Sequence, residues 1–228
     1  MTKGNIILLA GPSGSGKDTV MSKLFERQKE LCFSISHTTR PMREGEVQDL
    51  KYHHISKEKF DELLKNYEFL EYNFYAGNYY GTAKTPVLEC IENGKDMLIE
   101  VDVNGAKNIK KILPDAITVF IMPPSFEALK HRLTSRGTEQ PEQIEKRLNT
   151  ALDEISRANE FDYIVVNDDL ISAVDDFERI ILTERLKYKN NKINKPANIT
   201  EPPRLPLWNV LKTVKICLLR LTLTAQKS

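Results

Sequence analysis

Along most of this chain, short unbroken apolar runs alternate with stretches whose apolar residues recur at helical spacing. Ile6-Ile7-Leu8-Leu9 has the pattern of a strand covered on both faces, and Val20, Met21, Leu24 and Phe25 lie on one side of a helix. The rhythm then repeats. Phe33-Ser34-Ile35-Ser36 and Tyr52-His53-His54-Ile55 read as short strands, with Ser56 placed to cap a helix over 57–66. A strand over 69–75 is turned by Gly77-Asn78. Pro86 suits the first turn of a helix that Asn93-Gly94 ends. Met97-Leu98-Ile99-Glu100-Val101-Asp102 is an apolar run ending in acids, and a helix over 105–111 follows, stopped by Pro114. The remainder predicts a strand over 117–122, a Ser125-capped helix carrying Leu129, Arg132 and Leu133, and a helix from Pro141 to about 157. A strand over 163–166 and a helix over 170–187 complete it.

Strand-helix alternation of this kind predicts an α/β fold: a parallel sheet flanked by helices, with ligands at the carboxyl ends of the strands. One interruption, about 35–82, carries shorter alternating strands and reads as an inserted subdomain. From about Lys187 the composition changes. Lysines lead into Pro202-Pro203 and Pro206, as in a linker, and then Leu207, Val210, Leu211, Val214, Cys217, Leu218 and Leu221 keep helical spacing with basic residues between them. This basic, Pro-containing extension over 188–228 reads first as a segment that packs on the core or is poorly ordered. A contact with a partner or a membrane surface is the second reading.

Length and composition narrow the class. The chain has 228 residues, enough for one well-buried core. A formal net charge of +1 gives no global attraction to nucleic acid. Cys32, Cys90 and Cys217 are scattered without a CxxC pair, which argues against a disulfide framework or zinc and fits a reducing cytoplasm. The apolar run after Lys3 is too short for a signal peptide, and no segment has the length and apolarity of a transmembrane helix.

The chemistry begins between the first strand and helix, at Gly11-Pro12-Ser13-Gly14-Ser15-Gly16-Lys17-Asp18-Thr19. Glycines let successive N–H groups curl around an anion, the helix start adds its dipole, and Lys17 supplies a charge for the β and γ phosphates of a nucleoside triphosphate. The usual pattern puts Ser or Thr after the lysine, where its hydroxyl binds Mg²⁺; here Asp18 stands there. Three readings stay open: a metal ligand through water, a first-turn acid that favours the helix dipole, or a loop that no longer binds nucleotide. Asp102, at the end of an apolar run, is a second candidate for Mg²⁺ or its waters. Glu100, two positions earlier, reaches the same cluster or the acceptor. Arg40 and Arg43 can fork onto one phosphate or be a solvated basic turn. Arg132, Arg136 and Arg147 are candidates for a hinged flap that stabilises a transferring phosphoryl group, or solvated helix surface. His37, His53, His54 and His131 lack metal-ligand spacing and read as structural or surface residues.

Taken together, the sequence resembles the guanylate kinase family from about residue 5 to 185. The resemblance rests on the phosphate loop, Ser36-His37-Thr38-Thr39-Arg40, Gly45-Glu46-Val47, Phe69-Leu70-Glu71 and Gly77-Asn78-Tyr79-Tyr80-Gly81-Thr82. Arg132-Leu133 with Arg136-Gly137 and Val166-Asn167-Asp168-Asp169-Leu170 extend it. It implies the phosphate-loop nucleoside monophosphate kinase fold, with a GMP-binding insertion and a helical lid at about 132–147, and phosphoryl transfer from MgATP to GMP or dGMP. By position it implies that Ser36, Arg40, Arg43 and Tyr80 bind the GMP phosphate with Tyr52 beside them. Glu71 and Thr82 read the guanine with Asp102 close by, Arg132, Arg136 and Arg147 act as lid and transition-state arginines, and Asn167 and Asp168 edge the ATP base site. A carboxylate at Glu71 accepts guanine's N1–H and exocyclic amine, a donor pair adenine lacks. Two other classes compete: a non-catalytic protein-binding module on the same fold, and a phosphotransferase with a different acceptor. The retained phosphate loop and arginines speak against the first, and Glu71 with Thr82 against the second.

Overall fold

The apolar run at the start of the chain becomes the middle of a sheet. In the computed structural model, which describes residues 3–43, 45–75, 77–135 and 141–187, β1 (Ile6–Ala10) is buried along its whole length. Its parallel neighbours are β7 (Asp96–Glu100) and β8 (Ile117–Met122). Outside them lie β2 (Leu31–Phe33) and β9 (Tyr163–Val166), in the order β2-β7-β1-β8-β9 with every pair parallel. Successive side chains of β1 point to opposite faces, and each face finds its own helices. Ile7 and Leu9 pack with α1 (Lys17–Arg27) through Val20, Met21 and Leu24, and with α7 (Leu170–Leu186) through Ala173, Val174, Phe177 and Ile181. Ile6 and Leu8 pack with Val87 and Ile91 of α3 (Lys84–Glu92) and with Ala106 and Ile109 of α4 (Val103–Ile112). Complete burial of residues such as Leu8 and Leu9 contributes about 1.5–3 kcal/mol each.

The insertion forms a second sheet of β3 (Ser36–Thr38), β4 (Tyr52–His54), β5 (Phe69–Tyr75) and β6 (Asn78–Ala83), ordered β4-β3-β6-β5. β3 and β4 run parallel, while β6 is antiparallel to both β3 and β5. One helix, α2 (Lys57–Lys65), covers it. Its Ser56 Oγ accepts from Lys59 N as the spacing predicts, and Phe60 is fully buried, stacked on Phe69 and Tyr79 at centroid distances of 4.6 and 5.3 Å. After β8 come α5 (Phe126–Thr134) and α6 (Pro141–Ser156), which meet through Leu129, Leu133, Leu148 and Ala151. A 3-10 turn at Ala158–Glu160 leads into β9. Among the described residues no helix is long and apolar enough to cross a membrane.

Three expectations are corrected. The strand expected over 33–36 is two strands in different sheets. Ser34 N still donates to Leu98 O of β7 at 2.9 Å, and then the chain leaves for β3. The segment after Gly77-Asn78 is a strand, β6, whose polar sequence hid it. The apolar strand ends at Glu100, not Asp102. Asp102 is the N-cap of α4, its Oδ1 accepting from Gly105 N at 2.6 Å, so that helix starts two residues earlier than expected. Arg136, the proposed hinge after it and the extension over 188–228 lie outside the described residues.

Candidate active site

The phosphate loop is shaped by two glycines in the left-handed region, Gly14 at φ +87° and Gly16 at φ +90°. A Cβ on Gly16 would also lie 2.3 Å from Asn167 Nδ2, so this position excludes any side chain twice over. Four helices here have a side-chain cap: Ser56, Asp102, Ser125 and Asp169 accept from the first-turn N–H groups of α2, α4, α5 and α7. Helix α1 is different. Its N-cap, Gly16, offers no side chain, which leaves the first N–H groups of α1 to an incoming anion. Asn167, buried at the end of β9, donates Nδ2–H to Ser15 O at 2.8 Å. Arg132 donates to Asn167 O at 2.9 Å and to Ser15 O at 3.4 Å. From α6, Arg147 donates to Ser13 Oγ. Lys17 folds back over the loop, donating to Gly11 O at 2.6 Å and Pro12 O at 3.3 Å. Burial lowers the pKa of its ammonium, with Glu100, Glu154 and Asp18 offsetting part of the shift.

On the other side of the cleft, the second sheet gathers polar side chains. Thr38 Oγ1 donates to Tyr79 O and accepts from Arg40 N, and Tyr79 N donates to Thr39 Oγ1. The two threonines thus pin the start of the arginine loop to β6. Arg40 NH2 meets both oxygens of Glu46 at 2.8 and 3.0 Å, and its guanidinium lies 5.6 Å from the centre of the Tyr52 ring. Arg40 and the Arg43 backbone hold the Glu46 carboxyl down at about 2. The ring of His54 faces the same turn. Its Nδ1 lies 2.8 Å from Arg40 O, a carbonyl that can only accept, so this nitrogen carries the proton. Tyr52 and Tyr80 touch edge to face at 5.9 Å.

The register of β5 against β6 puts Glu71 opposite Thr82, just past a bulge between Phe69 and Glu71. Thr82, fully buried, donates its hydroxyl to Glu71 Oε1 at 3.2 Å. Burial raises the Glu71 carboxyl to about 7; the Thr82 hydrogen bond opposes that and Asp102 adds to it. Asp102 itself is engaged at both oxygens, Oδ2 accepting from Asn73 Nδ2 at 2.6 Å.

Between the two halves, Lys51 Nζ lies 2.5 Å from Asp18 Oδ1 and 3.6 Å from Glu100 Oε2. The predicted residues therefore fall into three groups. Gly11 to Lys17, Thr19, Arg132, Arg147 and Asn167 lie at the loop; Ser36, Arg40, Tyr52, Glu71, Tyr80 and Thr82 lie on or beside the second sheet; Asp18 and Glu100 are joined through Lys51. Arg43 is exposed, with its backbone N–H on Glu46 Oε2, and Asp168 is exposed just before the cap of α7. Sequence reading missed Lys51, Glu154 and the role of His54. Glu154 was within reach: it lies seven residues after Arg147, two turns along the same face of α6, and burial raises its carboxyl to about 6. Lys51 and His54 carried no signal, because only the packing of the two sheets gives them partners.

Among the described residues no group of three or more His, Cys, Asp or Glu gathers to hold a metal ion. Asp18 and Glu100 nevertheless fit a Mg²⁺ carried in on phosphates, since that ion keeps most of its waters and takes few protein ligands.

This geometry can now be set beside known proteins. Residues 3–184 match the family model for guanylate kinase. The chain is 43% identical over 189 residues to a guanylate kinase of Carboxydothermus hydrogenoformans, covering 83% of this chain and 93% of that one. It is 48% identical over 179 residues to one of Gloeobacter violaceus, covering 78% and 87%. A crystal structure of guanylate kinase from Anaplasma phagocytophilum superposes with a TM-score of 0.70 at 30% identity, covering 83% of this chain and 90% of that one. With the family model spanning most of its length and relatives above 40% identity, this chain belongs to the guanylate kinase family.

Proposed function

We infer that this chain is a nucleoside monophosphate kinase that moves a phosphoryl group from ATP to GMP, giving ADP and GDP. The observation that carries the acceptor is the Glu71–Thr82 pair, a half-hidden carboxyl and a buried hydroxyl on facing strands across the cleft from a phosphate loop. An ionised Glu71 accepts both donors on the Watson–Crick edge of guanine. Adenine would leave it buried and unpaired, a penalty of about 1–3 kcal/mol or more.

Each residue then has a task. The N–H groups of the loop and of the first turn of α1 receive the donor's phosphates, and Lys17 leaves Gly11 O and Pro12 O for the β and γ oxygens. Asn167 and Arg132 hold the loop's carbonyl at Ser15 while this happens. Arg40, aligned by Glu46 and Tyr52, and Arg43 take the acceptor's phosphate with Ser36 and Tyr80. Glu71 and Thr82 set the base, so that the acceptor oxygen faces the γ phosphorus in line. Arg147 and Arg136 supply charge to the transferring group. Asp18, Glu100 and Asp102 are the side chains that would lie near the waters of a Mg²⁺ brought in with ATP, which would supply positive charge to the phosphates. No residue is required as a strong base, since the transfer depends on alignment and charge.

We further read 1–187 as one catalytic domain with its insertion at about 35–82 and its lid at about 132–147, followed by a basic, Pro-containing extension over 188–228. The free thiols of Cys32 and Cys90 support a reducing cytoplasm. A coupled ADP-release assay over GMP, dGMP, AMP, UMP, CMP and dTMP, with and without Mg²⁺, tests the function. Mg²⁺-dependent turnover confined to GMP and dGMP is expected. Turnover on another nucleotide alone would remove the guanine reading.

A further inference from the structure

The position after Lys17 holds a carboxylate where the usual loop has a hydroxyl. A bare carboxylate there repels the phosphates that the loop attracts. In this structure it is not bare. Lys51, the residue immediately before β4, reaches from the second sheet to Asp18 Oδ1 at 2.5 Å, with Glu100 Oε2 at 3.6 Å.

We propose that Lys51 is a positioning residue for ATP: delivered by the acceptor sheet, it neutralises Asp18 at the mouth of the phosphate loop and so replaces the missing hydroxyl with an ion pair. The proposal rests on the reading of the chain as an ATP-using kinase. An ion pair whose side chains are 43% and 69% exposed contributes little to stability, so a structural purpose for it is weak. Its place matters more. Asp18 is in the first turn of α1, next to the lysine that receives the phosphates, and Glu100 ends the strand beside β1. Lys51 answers both carboxylates with one charge, and no other lysine or arginine among the described residues is recorded within ion-pair distance of Asp18 or Glu100.

The test is a double-mutant cycle read by equilibrium binding of ATP to the full chain, by calorimetry in EDTA and again with Mg²⁺. Lys51→Gln should weaken ATP about tenfold in EDTA when Asp18 is present, and less than about twofold in the Asp18→Ser background. Lys51→Arg should stay within about threefold of the unmodified chain, and the melting temperature of each variant should move by no more than about 2 °C. Equal losses from Lys51→Gln in both backgrounds, or no loss in either, would overturn the proposal. Because the readout is ATP binding, it separates from the acceptor reading. A chain that binds ATP and shows the coupling but phosphorylates no nucleotide loses its assignment as a kinase and keeps the ion pair. A chain that does not bind ATP loses both.

Discussion

In the proposed kinase, the phosphate loop meets its ligand mainly with main chain, and the second sheet meets its ligand with side chains. On the loop the groups offered are N–H donors of Gly14 to Asp18, in a backbone shaped by Gly14 and Gly16 and held by Asn167, which donates to Ser15 O from just beyond β9. On the sheet they are the carboxyl of Glu71 and the hydroxyl of Thr82, which pair across facing strands, and the guanidinium of Arg40, held by Glu46 within its own loop. Main-chain donors read charge and shape, which every nucleoside triphosphate shares. Side chains read the pattern of donors and acceptors on one base. The division predicts that damage on one side should leave the other side's binding intact.

Four experiments press on that division. Lys17→Ala should lower turnover by about 10³-fold while the fold and melting temperature hold, because one charge on the transferring phosphates is lost. If turnover falls less than tenfold, the main chain alone carries the donor side. Glu71→Gln should raise KM for GMP about 100-fold and leave ATP affinity within about twofold. Matching losses for both substrates would mean that the variant is misfolded and would break the comparison. Asn167→Ala should raise the KM for ATP about tenfold and lower stability by about 1–2 kcal/mol, with KM for GMP unchanged; calorimetry and kinetics on one preparation decide it.

The smallest effect comes from pH. Glu71 titrates at about 7 in the folded chain against an ordinary 4.5. Guanine needs the ionised form, so KM for GMP should fall several-fold between pH 6 and 8, and this slope should vanish in Glu71→Gln. The same carboxyl affects folding in the opposite sense. From about pH 4.5 to 7 the folded state keeps a proton that the unfolded chain releases, so stability drains as pH rises through that window. Glu71→Gln should therefore gain on the wild type by about 1–3 kcal/mol more at pH 8 than at pH 5, as read by thermal melts at both values.

The same division governs what could be read from the letters. The donor side is contiguous: glycines, lysine and flanking apolar runs lie within twenty residues, so the loop and the strand and helix around it were visible. A parallel sheet followed from runs with the pattern of burial on both faces; the place of β1 at its centre came only from the structure. The second sheet was visible as an interruption only. β6 is Asn-Tyr-Tyr-Gly-Thr-Ala, a sequence without alternation, and it is a strand because β3 and β5 supply partners on both sides. Asp102 looked like a strand-end acid because the apolar run continues through Val101; the helix that needs it as a cap begins on the very next residue. Lys51 and His54 acquire meaning from groups that are distant along the chain or across a turn, and spacing cannot reveal that.

The strand that leads into the loop also sets a timetable. Asn5 and Asp96, which bond at the edge of the β1–β7 pair, are 91 residues apart in sequence, and the other flank of β1 waits for Ile117 to Phe120. During synthesis, Ile6 to Ala10 stay an unpaired apolar ribbon until Met97 to Glu100 have followed, and lack their second partner until Ile117 to Phe120 appear. The β5–β6 hairpin, by contrast, can close as soon as it appears. The loop that follows β1 thus waits on partners made about ninety to a hundred and ten residues later, and until then the nascent protein carries an exposed, aggregation-prone apolar strand.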